Sequence, residues 1–246
     1  MIDGALLLDK PVGLSSNAAL QRAKRVFGAS KAGHAGTLDP LASGLLLVLL
    51  GEATKFAGPL LDADKEYLAT VKLGETTTTG DAEGTVLERK AVDVSARELD
   101  AVLAKFRGTI DQLPPMHSAL KRDGVPLYKL ARKGLTVERK PRRVQVHELR
   151  LLGFEPPRVE LQVRCSKGTY IRSLAEDIGA ALGTGAHLAA LRRTASGGFS
   201  VEDALGEQRD LHLGRAGIVS GALVLFDDLR FLRDLQSHLL SLFSVS

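Results

Sequence analysis

Residues 44–50 read GLLLVLL, an unbroken apolar run closed by Gly51. The run is far too short to span a bilayer. It reads instead as a buried strand over 45–50, so the chain must build a core around it. That core has to rest on Leu, Val and Ala, because aromatic residues make up only 4% of the chain and Trp is absent. With 246 residues, 44% of them hydrophobic and 25% charged, the chain has the composition of a soluble globular protein of one large domain or two small ones. Cys165 is the only cysteine, which excludes an intramolecular disulfide and suits a reducing cytoplasm. Residues 1–20 set Asp3, Asp9 and Lys10 around a short apolar stretch, which is not the pattern of a signal peptide.

Immediately before the buried strand stands GHAGTLDPLASG, residues 33–44, with Asp39 as its one acid and His34 five residues earlier. Gly33, Gly36 and Gly44 open backbone shapes denied to other residues, and Pro40 keeps Asp39 out of the helical region. The carboxylate is therefore expected on a tight loop in a fixed pose. The plain alternative is a turn-stabilising Asx residue.

Charge is unevenly spread. Residues 105–150 hold 12 Lys and Arg against 4 Asp and Glu, a balance of +8, within a chain of net charge +4. A solvated face is the ordinary explanation of such a run. The sharper one is a polyanion-binding arm, because clustered cations displace counterions from phosphates.

The rest of the chain alternates strands and helices irregularly. Residues 4–9 read as a strand and 16–27 as a helix capped by Ser16. A helical stretch after Gly51 is expected to loosen at Gly58-Pro59. EYLATVKLG alternates like a strand, TTTTGDAEG is a polar turn, and Ser95 with Glu98 makes a capping box on a helix over 95–106. A short amphipathic helix near 126–133, two neighbouring strands in RRVQVHELRLLGF and RVELQVRCS, and a helix over 171–182 follow. The pattern favours an α+β fold. No histidine has a Cys or His partner at metal-ligand spacing, and neither a P-loop nor GxGxxG is present. Arg172, in the first turn of the last helix, opposes the helix dipole and invites a carboxylate partner.

The segments LLLDKPVGLSS, GHAGTLDPLASGLLLVLLGEATK, KEYLATVKLGETTTTGDAEG, PPMHSALKRDGVPLYKLARKG, CSKGTYIRSLAEDIG and GAHLAALRR, in this order, resemble the successive signatures of the TruB family, the tRNA pseudouridine-55 synthases. The resemblance covers roughly residues 4–205. It implies a pseudouridine-synthase fold: a mixed, mostly antiparallel central sheet with helices and loops around an RNA-binding cleft. The catalytic domain is placed at 1–205, with a T-loop-gripping basic insertion over about 108–144, and the tail 206–246 is too short for a complete PUA domain.

By the same resemblance Asp39 is the nucleophile and Arg172 its guanidinium partner, while Tyr67 stacks on the target base. Tyr170 and Leu191 line the pocket, although Leu191 reads equally as a core leucine on a helix. His34 enters the RNA when the base leaves, Lys10 shapes the cleft wall, and Asp81 contacts RNA or organises its loop. Lys121, Arg122, Lys129, Arg132, Lys133, Arg142 and Arg143 are the expected phosphate contacts. The implied reaction needs no metal and no cofactor. The implied partner is the TΨC arm of tRNA, for a monomeric cytoplasmic enzyme. A tRNA-folding chaperone would need the basic segment but not Asp39, and a hydrolytic glycosidase would release free uracil.

Overall fold

The computed structural model describes residues 2–122, 124–131, 133–206 and 223–225, with the backbone alone for Lys121, Leu205, Gly206 and Leu223–Leu225. In chain order the elements are β1 (Gly4–Lys10), α1 (Ser16–Val26), β2 (Ala32–Ala35), β3 (Ala42–Leu50), a 3₁₀ turn (Gly51–Phe56), α2 (Ala57–Asp62), β4 (Lys65–Leu73), β5 (Glu75–Thr77), β6 (Val86–Arg89) and α3 (Ala96–Ala104). There follow β7 (Gly108–Gln112), β8 (Lys121–Arg122), β9 (Val125–Pro126), α4 (Leu127–Ala131), β10 (Arg142–Glu155), β11 (Arg158–Cys165), α5 (Ile171–Ala181), β12 (Ala186–Ser196), β13 (Phe199–Ser200), β14 (Leu205–Gly206) and β15 (Leu223–Leu225). This is the α+β class expected from the sequence. The tail assigned to 206–246 lies outside the described residues except for Gly206 and β15. No helix among the described residues is long and apolar enough to cross a membrane.

The chain packs as two units, one of Met1–Ala63 with the chain from Arg193 onward, the other of Asp64–Arg192. In the first, β1 pairs antiparallel with β3 along the whole length of β1, from Gly4↔Leu50 to Lys10↔Gly44. β2 pairs antiparallel with β3 from Ala32↔Leu50 to Ala35↔Leu47. β1 also takes β14 in parallel and β15 antiparallel. The apolar run is explained by its two faces. Leu46, Val48 and Leu50 pack with Ala19, Leu20 and Ala23 of α1, while Leu45, Leu47 and Leu49 pack with Ala53 and Leu60 on the opposite side. Successive side chains of a strand point to opposite faces, so a strand covered on both has no polar position.

Three local expectations change. The cap of α1 is Ser15, whose side chain accepts from the Ala18 amide, and Ser16 is buried instead. Gly58-Pro59 does not loosen the helix, because Pro59 is the third residue of α2, where a missing N–H costs no intrahelical bond. Leu191 lies on β12, not on a helix: GAHLAALRRTAS has helical composition, but the strand environment prevails.

In the second unit β4, β11, β10 and β7 follow one another antiparallel, with Tyr67 opposite Val163. The capping box of Ser95 and Glu98 forms as expected. Cys165 closes β11, 1% exposed, and burial pushes its thiol up to about 12. Only the thiolate is reactive. A disulfide reagent at pH 8 is therefore expected to modify Cys165 only as the protein unfolds, and rapid stoichiometric reaction of native protein would refute that burial.

Candidate active site

Asp39 occupies the loop between β2 and β3, half-buried. The backbone around it is held from several directions. Ser16 Oγ donates to the Leu38 carbonyl at 2.9 Å and accepts from the Leu38 amide at 2.8 Å. The Gly13 amide donates to the Pro40 carbonyl at 2.7 Å, and the Ala42 amide to the Asp39 carbonyl at 3.1 Å. The segment KPVGLSS is thus the loop's scaffold. Within it Lys10 is 0% exposed, its Nζ donating to the carbonyls of Pro11 and Leu14 at 2.8 and 2.6 Å.

Below the loop lies Arg193, at 1% exposure one of the largest fully buried side chains. Its Nε donates to the Leu45 carbonyl at 2.7 Å and its Nη2 to the Gly36 carbonyl at 3.1 Å. The close approach requires glycine. A Cβ on Gly44, at φ +99°, would stand 2.2 Å from the Arg193 carbonyl oxygen. His34 belongs to β2, half-buried, and Nδ1 of its ring is buried without a hydrogen-bond partner among the described residues. Burial, then the Arg193 charge, holds its pKa below the ordinary histidine value, so the ring is neutral at pH 7.

The second unit carries the other candidates. Tyr67 is buried on β4, 9% exposed. Tyr170 caps α5 and is fixed by an amide clasp: its N–H donates to Gln112 Oε1 at 2.7 Å, and Gln112 Nε2 donates to its carbonyl at 3.0 Å. Ser173 Oγ adds a bond to the Leu113 carbonyl at 2.9 Å. Leu191 is half-buried on β12.

Arg172 and Asp81 form a buried pair, Nε to Oδ2 at 3.6 Å, with side chains 6% and 5% exposed. Arg172 also donates to the Thr79 carbonyl at 3.0 Å and the His117 carbonyl at 2.6 Å. The guanidinium at the start of the helix thus has an acid within its own unit, Asp81, which sequence reasoning placed toward RNA or the loop. Asp81 Oδ1 accepts from Thr79 Oγ1 at 2.5 Å and the Glu83 amide at 3.1 Å, which organises the loop that carries it. Glu176 lies against Gly80 and is raised above the usual carboxylate range by burial, with Arg172 pulling the other way.

In the basic segment Arg122, Lys129, Lys133, Arg142 and Arg143 are exposed. Arg122 donates to the Glu138 carbonyl at 2.8 Å, and Arg143 stands 3.7 Å from Asp111. Arg132 and the side chain of Lys121 lie outside the described residues. No cluster of His, Cys, Asp and Glu that could hold a metal occurs among the described residues.

Residues 24–171 match the TruB family pseudouridylate synthase N-terminal domain, and residues 172–212 match the tRNA pseudouridylate synthase B C-terminal domain. The chain belongs to the TruB family. It is 61% identical over 205 residues to the tRNA pseudouridine synthase B of Azoarcus sp. (strain BH72), covering 83% of this chain and 68% of that one. It is 58% identical over 202 residues to the enzyme of the same name from Chromobacterium violaceum, covering 82% and 66%. The chain therefore spans about two thirds of the length of these relatives. A crystallised Cbf5-Nop10-Gar1 complex superposes with a TM-score of 0.70 at 34% identity, covering 88% of this chain and 57% of that one. An H/ACA RNP bound to a substrate RNA containing 2′-deoxyuridine gives 0.66 at 32%, covering 88% and 56%.

Within this TruB-family chain, sequence reasoning missed Ser16, Gln112 and Arg193 as residues that hold the named ones in place. The adjacency of Ser16 to a true cap concealed it. Gln112 carried no signal at all. Arg193 could have been suspected from its place two residues after Leu191 in GAHLAALRR.

Proposed function

We propose that this chain isomerises uridine to pseudouridine at position 55, in the TΨC arm of tRNA, with Asp39 as the nucleophile. The observation that carries the reading is Asp39 on a loop fixed through both neighbours, in a chain that matches both TruB-family domains. The reaction breaks the bond from ribose C1′ to uracil N1, turns the base, joins C5 to C1′ and releases the C5 proton. Nothing is oxidised or hydrolysed, so one well-held carboxylate suffices for covalent catalysis. By the family resemblance Arg172, held in its own unit by Asp81, is the partner assigned to that carboxylate, and Tyr67 stacks on the detached base, an interaction worth ~1–3 kcal/mol. Tyr170 and Leu191 wall the pocket. The target base leaves its stack to reach them, and a neutral His34 enters the vacated space without carrying a charge into it. A solved relative at 32% identity is bound to a substrate RNA, which supports an RNA substrate here.

The test is tritium release from C5-tritiated tRNA transcript. Release without free uracil supports the isomerase, and free uracil supports a glycosidase. Tight tRNA binding with no release leaves only an RNA-binding module.

The exposed cations of the basic segment serve as phosphate contacts that position the arm. Substituting both Lys129 and Lys133 by Ala is expected to weaken tRNA binding and to reduce the slope of log K against log salt by about 1–2. Binding measured across a salt series checks this, and an unchanged slope would remove these lysines from the interface.

A further inference from the structure

We propose that Ser16 and Arg193 are positioning residues that set the pose of the Asp39 carboxylate, Arg193 closing the neck of the loop and Ser16 fastening its tip. The inference rests on Asp39 being the nucleophile.

Gly36 directly follows β2 and Leu45 lies in β3 just past the loop, and the one guanidinium of Arg193 binds both carbonyls. Both glycines at this neck have positive φ, +95° at Gly36 and +99° at Gly44, and both abut the same arginine. A Cβ on Gly36 would meet Arg193 Nη1 at 3.2 Å. At the tip, Ser16 spends its hydroxyl twice on one residue, donating to Leu38 O and accepting from Leu38 N. The adjacent serines divide two tasks. Ser15 caps α1, which leaves Ser16, 2% exposed, wholly to the loop. Leu38 O belongs to the peptide that precedes Asp39, and Pro40 O, on the other side, is held by the Gly13 amide. The backbone on each side of the nucleophile is therefore fixed before substrate arrives. Misplacing a reacting group by about 1 Å can cost ~10²-fold in rate.

The experiment compares wild type, Ser16→Ala and Arg193→Lys by single-turnover tritium release, tRNA binding and amide exchange, in the full chain below its unfolding range. Arg193→Lys keeps the charge but loses the two-armed reach to Gly36 and Leu45. Both variants are expected to lose roughly 10–100-fold in the single-turnover rate with tRNA affinity retained. In Ser16→Ala the Leu38 amide exchanges faster while those of Leu46–Leu50 stay protected. A Ser16→Ala protein that turns over at the wild-type rate overturns the inference, as does a loss of rate matched by an equal loss of affinity. A wild type that releases no tritium overturns the functional reading itself, and this one with it. An active wild type beside an equally active Ser16→Ala overturns this one alone.

Discussion

Asp39→Asn is expected to reduce tritium release from C5-labelled tRNA by ~10⁴-fold or more, because it removes the carboxylate proposed as nucleophile while keeping the side chain's size. The backbone of the loop is held by bonds among Ser16, Leu38, Gly13, Pro40 and the Asp39 carbonyl, all of which an isosteric Asn leaves in place. The variant should therefore fold like wild type and bind tRNA with similar affinity. Single-turnover release and direct binding, measured on the same preparations, separate these effects. Release retained at more than about a tenth of the wild-type rate would show that Asp39 is not the nucleophile. Loss of binding in step with activity would make it a binding residue instead.

Arg172→Ala is expected to cost about 3–5 kcal/mol of stability, since removing one member of a buried ion pair leaves the other charge buried and uncompensated. Asp81, 5% exposed, would be that charge, and the carbonyls of Thr79 and His117 would lose a donor. Urea denaturation of Arg172→Ala, Asp81→Ala and the double variant reads the coupling directly. The double variant should be less destabilised than the sum of the two single ones. Additive losses would show that the pair contributes nothing as a pair. Arg172→Lys should fall well short of wild type, because a single ammonium cannot serve an acid and two carbonyls that a planar fork reaches together.

The sequence carried the fold wherever one local rule dominated. GLLLVLL announced a strand because both of its faces are covered, and Ser95 with Glu98 announced a helix because a capping box is a strictly local device. It misled where local preference and environment diverge. Ala-rich β12 reads as helix until its strand neighbours are known, and Ser16 reads as a cap until Leu38, 22 residues away, is seen to take its hydroxyl. Asp39, Tyr67 and Arg172 could be named from motif wording. The pairing of Arg172 with Asp81 could not, because it joins positions 91 residues apart that no periodicity relates. Gln112 escaped for the same reason: its clasp on Tyr170 spans 58 residues.

The strand pairing Gln112↔Arg142 joins the last residue of β7 to the first of β10. The described residues between 113 and 141, among them the exposed Arg122, Lys129 and Lys133, thus leave the sheet and return to it at one rung of the ladder. To the rest of the protein this segment is a detour whose two mouths are stapled together. Lengthening or shortening such a detour changes the free energy only slowly, so its length can vary without re-registering β7 against β10. The boundary of any graft is set by Gln112, which must stay because the same amide that ends β7 also holds Tyr170.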